Sequence, residues 1–338
     1  MMRRAVLLLV VALLGGACSS GSGSPSPTRA SSRSATSAAP VVEVPLVDRL
    51  VKRFAMTGQP DWMVADDRYL YVRQDSGEIV AIDPRTNKFA WRVEVPSENL
   101  CQGLGLGFGS LWTCSTSATT DTDAVVRIDL RTHRIVKTLE VGKSSRQGHL
   151  VTGFGRVWVI TSTPQGSSLV GIDPATNKTD APIPLGILAT ELAIDDDYVW
   201  AVGPVTGEVV AVDTHQRRVV RHVRDLSRLG GPSIIAAQAG AVWVGGEKGT
   251  VGIDPGSGHV TAEVAEGATG SGGLFATDTD LWLHPGKPFL VRVDPTTGRP
   301  VERIVAPKFP SAGDMMVAFG SLWASCNNQS TLFRLRLD

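Results

Sequence analysis

Gly109-Ser110-Leu111-Trp112, followed further along the same unit by Val126-Arg127-Ile128-Asp129-Leu130, is the passage on which the fold turns. Outward from it, the first phrase recurs. It reads Arg68-Tyr69-Leu70-Tyr71, Gly155-Arg156-Val157-Trp158, Asp197-Tyr198-Val199-Trp200, Gly240-Ala241-Val242-Trp243, Thr279-Asp280-Leu281-Trp282 and Gly320-Ser321-Leu322-Trp323. Its aromatic is spaced by 41, 46, 42, 43, 39 and 41 residues. The second phrase recurs in step as Ile82-Asp83-Pro84, Ile172-Asp173-Pro174, Val212-Asp213-Thr214, Ile253-Asp254-Pro255, Val293-Asp294-Pro295 and Leu337-Asp338. A fixed period near 40 residues is the mark of a repeat architecture.

Within a unit the apolar period is two: Val126, Ile128 and Leu130 alternate with Arg127, Asp129 and Arg131, so the segments are strands. Each unit divides into four. The first strand leads into Gly-rich residues, the second carries the aromatic, the third ends at the Asp, and the fourth resembles residues 134–141. The Asp joins third to fourth as a turn former, accepting backbone N–H groups two or three residues on, with Gly or Asn in the left-handed position. Turn capping, not catalysis, is the expected role of these aspartates.

Four strands repeated seven times give an all-β, seven-bladed β-propeller over residues 45–338. The seventh unit stops at Asp338 without a fourth strand, while Arg49-Leu50-Val51-Lys52-Arg53-Phe54 precedes the first aromatic with no unit of its own. It matches the fourth strand Arg134-Ile135-Val136-Lys137-Thr138-Leu139, so the N-terminal strand is expected to complete the last blade and remove two open edges.

The first 17 residues read as a signal peptide: Arg3-Arg4, an apolar run over residues 5–14 that is too short to span a membrane, then Gly15-Gly16-Ala17-Cys18. This resembles a bacterial lipobox, with Gly15 standing where that pattern has Leu, and it implies lipidation of Cys18; cleavage with plain secretion is the alternative. Residues 18–44, rich in Ser, Pro, Ala and Thr, read as a flexible tether. The expected location is the extracytoplasmic side of the cell membrane.

Lys plus Arg and Asp plus Glu number 33 each, so no basic excess exists to neutralise phosphates and nucleic acid is not an expected partner. Eight Trp stand beside three Tyr, and six of the Trp are the repeat's own aromatic. The remaining two are Trp62 and Trp91.

The phrases Leu111-Trp112, Val170-Gly171-Ile172-Asp173-Pro174-Ala175-Thr176-Asn177-Lys178 and residues 136–142 resemble the YVTN or YncE-like seven-bladed propellers of secreted and surface bacterial proteins. The resemblance implies the fold and is nearly silent on activity. Streptogramin lyases share the Gly-x-Leu-Trp texture, but the Phe-Thr-Glu that follows their aromatic is replaced here by Val72, Thr113, Val159, Ala201, Val244, Leu283 and Ala324. Quinone-dependent propellers repeat an outer-strand Trp, which only Trp91 matches.

Counting back nine residues from each repeat aromatic gives Trp62, Gly103, His149, Glu191, Ile234, Gly273 and Asp314, a ring at the channel mouth, with Arg146 and Arg228 in loops nearby. The mixture departs from a uniform structural ring. Trp62, His149, Glu191, Asp314 and Arg146 are therefore the candidate ligand-binding residues, with Trp62 as a stacking wall. A solvated polar rim is the bland reading, and acid–base chemistry by a lyase- or hydrolase-type enzyme is the alternative. No catalytic set, metal site or cofactor is assigned. Residues 115–124 carry Asp121 and Asp123 but lack the Gly and terminal Glu of a calcium loop. Gly103-Leu104-Gly105-Leu106-Gly107 precedes a strand, not the helix a phosphate loop requires. Cys101 and Cys114 face each other across one hairpin and could form a disulfide in an oxidising compartment or remain two buried thiols, with Cys326 left over. The functional expectation is a monomeric binding or scaffold module for a protein, glycan or small ligand.

Overall fold

A computed structural model describes residues 40–97, 102–116, 122–143, 150–269, 273–309 and 313–338. Seven separate sheets form seven blades of a β-propeller. Their innermost strands are Pro60–Ala65, Leu104–Gly107, Val151–Gly153, Glu191–Ile194, Ile234–Gln238, Leu274–Ala276 and Met315–Ala318. Within each blade the strands joined by hairpins are antiparallel, as such connections require.

The repeat aromatic explains why the blades stack. Seven apolar clusters fill the seven inter-blade interfaces, and each contains one: Tyr71, Trp112, Trp158, Trp200, Trp243, Trp282 and Trp323. Truncating such a buried indole to Ala costs about 3–5 kcal/mol. The polar atom of the ring is satisfied locally in five of them, whereas Trp243 Nε1 has no hydrogen-bond partner among the described residues. Trp112, Trp158 and Trp323 donate to the carbonyls of Gly107, Gly153 and Ala318, each at 3.1 Å. Tyr71 and Trp200 donate instead to the carboxylates of Asp66 and Asp195. Opposite the ring, the third strand offers either no bulk or a cation. A Cβ on Gly171 would lie 2.9 Å from Trp158, whereas Arg127, Arg292 and Arg334 lay their guanidinium groups 4.9, 5.8 and 5.1 Å from the ring centroids of Trp112, Trp282 and Trp323.

The aspartates are turn formers. Asp83, Asp129, Asp173, Asp213, Asp254 and Asp294 each accept backbone N–H groups two or three residues on. The side chains of Arg85, Thr132 and Ser257, with these N–H groups, hold Asp83, Asp129 and Asp254 below the usual carboxyl range. The N–H groups chiefly do so for Asp173, Asp213 and Asp294. Asn87, His133, Asn177 and Arg217 take the left-handed conformation that follows.

Leu50–Ala55 pairs antiparallel with Thr331–Leu335 as the outermost strand of the seventh blade, so the first strand of the repeat region closes the ring. The chain does more than expected before that point. Val42–Pro45, whose first three residues lie in the stretch read as tether, is a strand that pairs in parallel with Arg299–Val305 as a fifth strand of blade six. A four-residue helix, Leu46–Arg49, carries the chain from blade six to blade seven, burying Leu46 in their interface and pairing Arg49 with the buried Glu302 at 2.8 Å. Edge addition is a matter of available backbone groups rather than side-chain pattern, which is why composition missed it. Residues 1–39, with Cys18, lie outside the described residues. No helix among the described residues is long and apolar enough to cross a membrane.

Candidate functional site

The innermost strands of all seven blades surround a central channel of about 380 Å³. Its wall is apolar along most of its length, with Met63, Leu104, Leu150, Ile194, Ile234 and Phe275 among the lining residues, and carries Glu191 and Asp314 at the end where the inner strands begin.

Both carboxyl groups sit at the ring position read from the sequence, and neither is part of a solvated rim: Glu191 is 5% and Asp314 4% exposed. Each reaches sideways to the next blade. Asp314 accepts the N–H of Met63 at 2.6 Å and its own neighbour's, Met315, at 2.7 Å. Glu191 accepts the N–H of Ile235. Met63 and Ile235 are register equivalents, lying opposite Val72 and Val244, each one residue past the repeat aromatic. One geometry is thus used twice, in blades seven and four, on opposite sides of the ring. Burial pushes Glu191 well above the usual carboxyl range, and the charges of Asp314 and Asp61 push it further. Burial and Asp61 do the same to Asp314, against its two N–H donors.

Asp61 is the residue that sequence reasoning missed, and its presence corrects the placement of Trp62. Pro60 lies opposite Gln74 and Met63 opposite Val72, so Asp61 and Trp62 together face Arg73 alone. This β-bulge inserts a residue without altering the nine-residue count. Trp62, 1% exposed, packs with Tyr71, Leu104 and Leu111 between the first two blades and is not a wall of the channel mouth. Asp61, 2% exposed, is a third carboxyl whose charge acts on both Glu191 and Asp314.

Arg73 lies two residues past the repeat aromatic, where other blades carry Ile160, Val202, Gly245 and Ser325. It is fully buried and donates to the carbonyl of Gly77 at 2.7 Å, and burial lowers its guanidinium to about 10 against the opposing charge of Asp75. Asp75 accepts from Gln102 of blade two at 3.1 Å and from Asn327 of blade seven at 3.3 Å. A charged residue inside Leu70-Tyr71-Val72-Arg73-Gln74 was a legible signal for this network.

His149, Arg146 and Cys101 lie outside the described residues. Gly273, at the ring position of blade six, accepts the N–H of His284 at 2.8 Å. Arg228 turns away to Glu263 at 2.6 Å. Cys114 is disulfide-bonded and Cys326 carries a buried thiol. No group of His, Cys, Asp and Glu among the described residues could hold a metal ion.

No family model matches the chain, and no curated protein does. Among solved structures it is similar to Kuenenia stuttgartiensis hydrazine synthase, with a TM-score of 0.64 at 14% identity over 85% of this chain and 97% of that one. At that identity the likeness shows the propeller fold alone.

Proposed function

We propose that the protein is a binding module whose ligand enters the central channel at the end bearing Glu191 and Asp314. The observation that carries this reading is the channel itself, a cavity of about 380 Å³ with an apolar wall and carboxyl groups gathered at one end. Binding sites combine these features: apolar area for affinity and a few fixed polar groups for orientation. Carboxyl groups accept hydrogen bonds and, once ionised, attract cations, so the ligand is a small molecule or glycan offering amine or hydroxyl donors. The signal-like N-terminus supports placing this module outside the cell, lipidated at Cys18 of an extracytoplasmic lipoprotein of the YVTN type.

A thermal-shift screen of amines, polyols and short glycans tests the channel reading. A genuine ligand raises the midpoint of the parent protein and loses at least tenfold in affinity in Glu191→Gln, which keeps the shape and an acceptor for Ile235. A ligand that binds Glu191→Gln unchanged does not use this end of the channel. For the anchor, Cys18→Ser is expected to release the protein from membranes into the medium; retention contradicts lipidation.

A further inference from the structure

We propose that the contact between blades six and seven is an acid-sensitive seam, closed while His284 is neutral and loosened when its imidazole takes a proton. His284 follows the second strand of blade six, Leu281–Leu283, and is fully buried. Its ring meets Phe289 edge-on, 4.8 Å between centroids, and Phe289 meets Phe333 of blade seven in the same way at 5.7 Å. Among the described residues neither ring nitrogen has a hydrogen-bond partner of ordinary geometry. The Ser325 carbonyl of blade seven favours the charged ring, but less than burial disfavours it, and the imidazole is held down to about 4.

The ionisable groups on the elements packed around it offer no compensation. On blade seven, Asp314 is committed to the N–H groups of Met63 and Met315, and Cys326 contributes a buried thiol. On blade six, Arg292 lies beside Trp282, one pair further down the strand, and is paired with Asp280 and Glu302. Glu302 also engages Arg49 of the crossing helix. Thr269, from the loop entering blade six, bonds to the backbone carbonyl of His284 and not to the ring. A proton on His284 therefore creates a buried cation with no opposite charge beside it and only the Ser325 carbonyl to favour it. The least costly way to hydrate it is to part the two blades locally rather than unfold the ring. The difference between its ordinary value of 6.5 and about 4 corresponds to roughly a 300-fold shift toward the hydrated arrangement.

Cys326 lies in the same interface and reports on it. The full chain is treated with 4,4′-dithiodipyridine, which reacts with thiols in acid, and modification of Cys326 is followed by peptide mapping from pH 7 to 4 while far-UV circular dichroism monitors the sheets. Cys326 should react at least tenfold faster at pH 4.5 than at pH 7 with the sheet signal intact. The increase should vanish in His284→Phe, and in His284→Gln should the larger ring disturb packing. A rise of equal size in His284→Gln, or reaction only when the sheet signal collapses, overturns the proposal.

Discussion

Asp314 Oδ2 accepts the backbone N–H of Met63 at 2.6 Å across the joint where the last blade meets the first. Its other oxygen takes the N–H of Met315, so one buried carboxyl fixes the start of two adjacent inner strands. Asp314→Ala leaves two buried N–H groups without an acceptor, each costing about 1–3 kcal/mol. Urea denaturation should show a loss of about 2–4 kcal/mol, with Asp314→Asn intermediate because its amide retains one acceptor oxygen. A loss below about 0.5 kcal/mol would mean that water replaces the carboxyl without penalty.

Arg334 spans the same joint further from the axis. Stacked on Trp323, it donates to the carbonyl of Pro84 and to Asn87 Oδ1 at 2.8 Å in the Asp-Pro turn of blade one. Arg127 makes the matching contacts with Pro174 and Asn177 between blades two and three. Each Arg→Ala change should cost about 1–3 kcal/mol, the value of charge-assisted bonds at a partly buried site. Only Arg334→Ala weakens the joint that closes the ring, so limited proteolysis should speed up within Leu50–Ala55 in that variant and not in Arg127→Ala. Equal proteolysis in both would show that closure does not depend on this bracket.

The fold was legible because each repeat states its packing in residue types that have few alternatives. A large aromatic needs an interface, and a small residue or an Arg opposite it permits one. Asp followed by a left-handed residue needs a turn. The site was legible only in part, for a different reason. Glu191 and Asp314 could be found by counting, but their burial depends on the neighbouring blades and not on their own strands. Trp62 and Asp61 exchange roles through a bulge that leaves the count unchanged. Val42–Pro45 pairs through backbone groups that no side-chain pattern announces.

Cys114 is disulfide-bonded, and we propose Cys101 as its partner. Peptide mapping without reductant should recover the two in one linked pair, with Cys326 labelled as a thiol after denaturation. A loop of this size is worth about 3 kcal/mol, so reduction or Cys114→Ala should lower stability by roughly 2–4 kcal/mol. Recovery of Cys114 linked to Cys18 instead would refute the pairing.

Stability should respond to pH through two opposing groups of residues. Glu191 and Asp314 have folded-state affinities for protons raised above their ordinary values of 4.5 and 3.8, so above those values the folded state holds more protons than the unfolded chain. Their contribution is greatest in acid and falls as pH rises from about 4. His284 runs the other way. Its folded value is depressed to about 4, so the unfolded chain holds the extra proton between about 4 and 6.5, and stability falls as pH drops through that window. Between about 4.5 and 6.5 two carboxyls oppose one imidazole, so urea midpoints from pH 4 to 9 should fall as pH rises, less steeply below about 6.5 than the carboxyls alone would give. Glu191→Gln should flatten this fall, most plainly above about pH 6.5 where His284 no longer contributes. His284→Gln should steepen it below about pH 6.5 and leave the slope above unchanged. If Glu191→Gln leaves the high-pH slope unchanged, Glu191 is already ionised in the folded protein, and the channel presents a fixed negative charge to its ligand.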